Sequence, residues 1–185
     1  MRVGKAVFSL TLIAGFVTLM MSANTSMHAQ ENSGYAPVNG LVMYYEVYGE
    51  GSPLILIHGG LGGIVEFNAL IPLLAETRQV IAVELQGHGH TADIDRPLTY
   101  EAMADDIAAL IAYLGYEQTD VMGYSLGGGV ALQTAIRHSD VVNRLVLVST
   151  PFARDGMHPE FLAGQAAMSA ENAAALLETP MYQFY

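Results

Sequence analysis

The sequence predicts an α/β fold: a mostly parallel sheet with helices on both faces and an antiparallel hairpin at its start. Three observations point there. Leu54-Ile55-Leu56-Ile57 and the stretch from Gln79 to Leu85 are continuous apolar runs of strand length, as expected for strands buried on both faces. Between such runs, apolar residues recur at helical spacing. Strands and helical stretches alternate along the chain, the pattern of parallel α/β units. At 185 residues, with 52% hydrophobic and 14% charged side chains, the chain has the material for one folded domain rather than a disordered segment.

Residues 1–29 stand apart from that domain. Arg2 and Lys5 precede a charge-free apolar run from Ala6 to Met21, and a polar, small-residue stretch leads to Ala29. This is the layout of a secretory signal peptide, with cleavage expected after Ala29 and Ala23 as the alternative site. The apolar run is shorter than the roughly 20 residues of a membrane span. Its removal leaves five arginines against 18 acids, a formal charge of −13 where the whole chain carries −11. Such a surface disfavours nucleic acid, anionic membranes and anionic substrates. The absence of cysteine excludes disulfides, Cys-ligated zinc and a thiol nucleophile.

Each further element has a local reason. Gly34 to Ala36 reads as a short leader. Asn39-Gly40 is a hairpin turn before a strand from Leu41 to Tyr48. The strand Leu54 to Ile57 runs into His58-Gly59-Gly60-Leu61-Gly62-Gly63. Phe67, Leu70, Ile71 and Leu74 have helical spacing, interrupted by Pro72. The second buried strand ends at Gln86-Gly87-His88-Gly89-His90. Thr99 is an N-cap candidate for a helix whose stripe is Met103, Ile107, Leu110, Ile111 and Leu114, stopped by Gly115. Asp105 and Asp106 read as its solvated face. A strand from Thr119 to Gly123, a helix from Leu126 to His138 and a strand from Arg144 to Val148 follow. Pro151 to Tyr185 is rich in Met and aromatic residues and reads as two short helices.

The chemistry centres on Gly123-Tyr124-Ser125-Leu126-Gly127, a G-x-S-x-G pentapeptide between a strand and a helix. A serine on so sharp a turn is lifted clear of the sheet at a helix N-terminus, and a side chain at Gly123 or Gly127 would strike backbone. Acyl transfer at Ser125 needs two N–H donors for the oxyanion. One is expected from Leu126, the other from Gly60, with Leu61 as alternative. The side chain of His58 is expected to brace its own loop. His88 and His90, near Asp93 and Asp95, form only a weak metal-ligand pattern.

On these motifs the chain resembles the α/β-hydrolase superfamily, in its subgroup of small esterases, lactonases, carbon–carbon bond hydrolases and cofactor-free haloperoxidase-like enzymes. The matching stretches are Leu54 to Gly63, Val80 to Thr91, Leu98 to Gly115, Asp120 to Ala135 and Arg137 to Thr150. The family usually has aspartate at Glu84, proline at Ser139 and often serine at Thr91. The resemblance implies a serine hydrolase of small or medium esters or lactones that forms an acyl-enzyme at Ser125 and needs no cofactor or metal. Its implied partner is a small-molecule substrate, and stable membrane association is not expected once the signal is removed. The resemblance also places the triad acid and histidine beyond Tyr185, with 30–150 as the N-terminal part of the core and 151–185 as the start of a helical cap. Within the chain, Asp155 and His158 are the substitute triad partners. The rival readings are carbon–carbon bond hydrolysis or peracid formation on the same fold, and an inactive or ligand-binding relative. Export predicts that the protein recovered outside the cytoplasm begins at Gln30; N-terminal sequencing that reads Met1 there would reject cleavage.

Overall fold

The structure is a computed structural model and describes residues 32–151, 153, 156–160 and 162–163. The leader assigned to 1–29, Asp155 and most of the cap assigned to 151–185 lie outside the described residues. Six strands, β1 (Asn32–Val38), β2 (Leu41–Tyr48), β3 (Ser52–Ile57), β4 (Arg78–Val83), β5 (Thr119–Tyr124) and β6 (Val142–Val148), form one sheet in the order β1-β2-β4-β3-β5-β6. β2 runs antiparallel to both β1 and β4, and the remaining pairs are parallel. The helices are α1 (Ile71–Ala75), α2 (Tyr100–Tyr113) and α3 (Leu126–Arg137), with a 3-10 turn at Ile64–Phe67.

The apolar runs are continuous because successive side chains feed opposite layers. Ile55, Ile57, Ile81, Val83 and Val121 pack with Met103, Ile107, Leu110 and Ile111 of α2 and Val130 and Ala131 of α3. Their neighbours Leu56, Val80 and Ala82 turn to the other face, against Ile64, Phe67, Ile71 and Ala75. Pro72 lies in the first turn of α1, so it starts that short helix instead of interrupting a longer one. The Thr99 hydroxyl accepts from the Ala102 N–H, and Gly115 ends α2 at φ +82°.

Two expectations are corrected. Gly34 to Ala36 is not a leader but the middle of β1, where Gly34 pairs with Tyr45 and Ala36 with Met43. The Asn39-Gly40 turn, with φ of +49° and +83°, folds whatever precedes it back along β2. Pro37 is tolerated because β1 is an edge strand. The second correction concerns the supposed solvated face of α2. Asp106 is 0% exposed and accepts from Arg96 Nη1 and Nη2 at 3.1 and 2.6 Å and from Asn39 Nδ2 at 3.0 Å. Arg96 arrives from the loop after β4, which helical spacing alone does not reveal. Asp105 does sit at the surface, where it ties α2 to α3 through Arg137 and His138. The hydrogen-bonded Arg137 guanidinium first, and His138 second, hold its carboxyl down at about 2.

Among the described residues β6 forms the far edge of the sheet, with Val146 46% and Leu147 38% exposed. A bare edge of this kind is a surface to which another strand adds. Asp106→Ala leaves the Arg96 guanidinium without its carboxylate, so urea unfolding of the full chain is expected to show a loss of about 3 kcal/mol. A loss within error of zero would mean that the pair contributes nothing to the fold.

Candidate active site

The carboxyl ends of the parallel strands carry every loop in which sequence placed chemistry, as expected for ligand sites in such sheets. Ser125 joins β5 to α3 at φ +51° and ψ −114°, a conformation that costs a non-glycine residue about 1 kcal/mol or more. Its surroundings hold it there. The Ser125 N–H donates to the Val148 carbonyl at 2.9 Å, and the Thr150 hydroxyl donates to the Ser125 carbonyl at 2.8 Å. The glycines around it are sterically required. A Cβ at Gly123 would lie 2.1 Å from the Gly127 carbonyl oxygen, and one at Gly127 would lie 2.4 Å from the carbonyl oxygens of both Ile57 and His58. The strand and helix therefore cross at backbone distance, with Ser125 half-buried at the apex. The Leu126 N–H opens α3, where a helix has no internal acceptor for it.

The second donor loop lies against this turn. A Cβ at Gly60 would sit 3.5 Å from Leu126 Cδ2, so the Gly60 loop packs against the Leu126 side chain. The Leu61 N–H instead donates to His88 Nε2 at 3.2 Å, so the open donor is Gly60. His58 braces the loop as expected. Its Nε2 accepts the Leu85 N–H at 3.1 Å and its Nδ1 meets the Gly59 carbonyl at 2.6 Å. Both ring nitrogens are thus engaged, and the bonds assign the neutral Nδ1–H tautomer. Burial pushes its pKa below the ordinary imidazole range, in keeping with that neutral state.

The other candidates separate. His158 is open to solvent, 3.9 Å from Glu160, and makes no hydrogen bond to Ser125; its proposed partner Asp155 lies outside the described residues. His138 caps the far end of α3 and pairs with Asp105 at 2.6 Å. His90 pairs with the buried Glu84 at 3.0 Å, while Asp93 accepts from Gln86 at 2.7 Å. Glu84, where the family usually has aspartate, tucks its carboxylate beneath the His90 loop. A Cβ at Gly89 would come within 2.2 Å of it. Sequence reading missed three side chains that shape the site. Thr150 holds the elbow, Glu66 accepts the Gly59 N–H at 2.8 Å, and His88 holds Leu61. Only the glycines flanking Glu66 hinted at it, since their missing side chains leave room for its carboxylate.

Comparison with known proteins agrees with this geometry. The family model described as the alpha/beta hydrolase fold matches residues 52–174. A soluble epoxide hydrolase of Corynebacterium sp. (strain C12) is 39% identical over 116 residues, covering 61% of this chain and 40% of the relative. A pimeloyl-acyl-carrier-protein methyl ester esterase of Neisseria meningitidis serogroup A is 44% identical over 114 residues, covering 60% and 35%. Among solved structures, the ligand-free epoxide hydrolase CorEH superposes with a TM-score of 0.64 at 33% identity, covering 69% of this chain and 46% of that one. The chain thus spans less than half the length of each.

The elbow strain is directly measurable. Ser125→Ala and Ser125→Gly both delete the hydroxyl, but only glycine adopts the left-handed backbone freely. Ser125→Gly is therefore expected to be about 1 kcal/mol more stable than Ser125→Ala in urea unfolding of the full chain. Equal stabilities would show that the elbow is unstrained.

Proposed function

The chain belongs to the α/β-hydrolase fold family, and on that premise we propose that it is the N-terminal part of a serine hydrolase that, when complete, acts on small or medium carboxylic esters or lactones. The observation that carries this reading is Ser125 itself, held at positive φ on the elbow beside the Leu126 N–H and the Gly60 loop. In the proposed reaction Ser125 Oγ adds to the acyl carbon and gives its proton to a histidine base. The carbonyl oxygen becomes an oxyanion that the N–H groups of Gly60 and Leu126 stabilise. Collapse of the tetrahedral intermediate expels the alcohol, which takes the proton, and leaves an acyl-enzyme. Water then adds to the acyl carbon, with the same base accepting its proton; the acyl C–Oγ bond breaks, Ser125 Oγ takes that proton from the base, and the carboxylic acid departs. The family resemblance assigns the base and its orienting acid to residues following Tyr185; within the chain the candidates are His158 and Asp155. The signal-like leader supports action outside the cytoplasm.

The two relatives described above are named for an epoxide and for an ester. The nucleophile discriminates between them. A serine oxygen that opens an epoxide forms an alkyl ether, which has no carbonyl for water to attack, so the enzyme would not be released. An acyl-serine has that carbonyl. The methyl ester esterase is therefore the more informative of the relatives, and the strongly acidic surface favours neutral acyl groups.

The complete protein, carrying the base and its orienting acid, is expected to be labelled once, at Ser125, by a fluorophosphonate, and to hydrolyse neutral p-nitrophenyl esters. Ser125→Ala is expected to lower kcat/KM by at least about a thousandfold. A folded protein that leaves the phosphonate untouched would favour the ligand-binding alternative. Turnover of epoxides without turnover of esters would reject the acyl mechanism.

A further inference from the structure

Four successive N–H groups, from Gly59 to Gly62, line the loop that follows β3, and each has a distinct fate. The Gly59 N–H donates to Glu66 Oε2 at 2.8 Å. The Leu61 N–H donates to His88 Nε2 at 3.2 Å. The Gly62 N–H donates to the Gly59 carbonyl at 3.3 Å. Among the described residues, the Gly60 N–H has no acceptor, and it lies beside Leu126.

The two side-chain acceptors come from different directions. Glu66 belongs to the 3-10 turn just beyond the loop, and its carboxylate fills space the glycines vacate: a Cβ at Gly62 would lie 2.4 Å from it, and one at Gly59 3.5 Å. His88 comes from the loop after β4. Its Nδ1 meets the Gln86 carbonyl at 2.9 Å, and its ring lies 4.9 Å from that of His58. Because Nε2 accepts from Leu61, the proton sits on Nδ1, and a protonated ring would lose that acceptor. Leu61 is held at φ +63°, unusual for a branched residue, with its N–H turned to His88.

We propose that Glu66 and His88 are positioning residues that divide the donors of this loop: they occupy the N–H groups of Gly59 and Leu61 and so present the Gly60 N–H to the oxyanion at Ser125. The proposal rests on the acyl-transfer reading above. It assigns Glu66 and His88 no contact with substrate. Their work is to keep the loop from rotating the wrong N–H inward. An interaction realised only when the oxyanion forms changes kcat and leaves substrate binding alone.

The test uses the complete protein, p-nitrophenyl esters, a trifluoromethyl ketone that forms a tetrahedral adduct, and a fluorophosphonate that counts reactive serines. His88→Leu and Glu66→Leu remove the acceptors; His88→Gln and Glu66→Gln keep an oxygen that accepts. The leucine variants are expected to lose about tenfold or more in kcat, and as much in affinity for the ketone, with KM within about twofold. The glutamine variants are expected to recover most of that loss, which a purely structural role would not produce. A readout independent of any variant is the nitrogen NMR signature of His88, expected to show a protonated Nδ1 and a bare Nε2. If Ser125 takes up the phosphonate while the leucine variants keep kcat, or glutamine fails to rescue them, or His88 carries its proton on Nε2, the positioning role is overturned and the hydrolase reading stands. If wild-type Ser125 is inert to phosphonate and esters, both fall.

Discussion

The approach of the Gly123 α-carbon to the Gly127 carbonyl governs the geometry of the site. β5 can become α3 within a single residue only if both flanking positions lack side chains, and the reversal then forces Ser125 into the left-handed half of backbone space. The same crossing presses Gly127 onto the carbonyls of Ile57 and His58 at the end of β3. The nucleophile turn and the neighbouring donor loop are thereby fixed against each other by backbone contact. The Val148 carbonyl, which accepts from the Ser125 N–H, and the Thr150 hydroxyl, which donates to the Ser125 carbonyl, hold the strained peptide from the other side.

Around that contact the polar groups are buried in places where a loop must be held still. His58 lies beneath its own glycine loop, neutral, with both nitrogens bonded to backbone. Glu84 supports the His90 turn, and Asp106 receives the forked guanidinium of Arg96 from the loop between β4 and α2. Burying such groups is costly unless each finds a partner. Here each of these groups has found one. Donors held in advance of the reaction need no reorganisation when charge develops, which is the main advantage of a folded catalyst over solvent.

The fold is common to relatives named for different reactions, so the fold by itself does not select the chemistry. The selection lies in the atom at the apex of the elbow and in the donors beside it. On the proposed reading, an oxygen nucleophile that water must later release calls for an acyl group, and the N–H groups beside it would hold the oxyanion that develops.

Several features were readable from sequence alone because their causes are local. The Asn39-Gly40 turn, the Thr99 cap, the Gly115 stop and the Gly123–Gly127 elbow each depend on torsions and contacts within a few residues, and the double-sided strands declare themselves by unbroken apolar runs. The positions of the Ser125 turn and of the glycine loop after β3 follow from these same local signals. Other features depended on groups far apart in sequence. β1 is a strand because the hairpin lays it against β2, although its own residues are poor strand formers. Asp106 is buried because Arg96 and Asn39 converge on it, which helical periodicity cannot report. The roles of Glu66 and His88, and the choice of Gly60 over Leu61 as the open donor, exist only once the loop after β4 has folded over the loop after β3. Sequence by itself determined the local torsions and the alternation of layers. The tertiary structure decided which hydrogen-bond acceptor each loop amide meets, because that depends on which distant segment the core brings to its side.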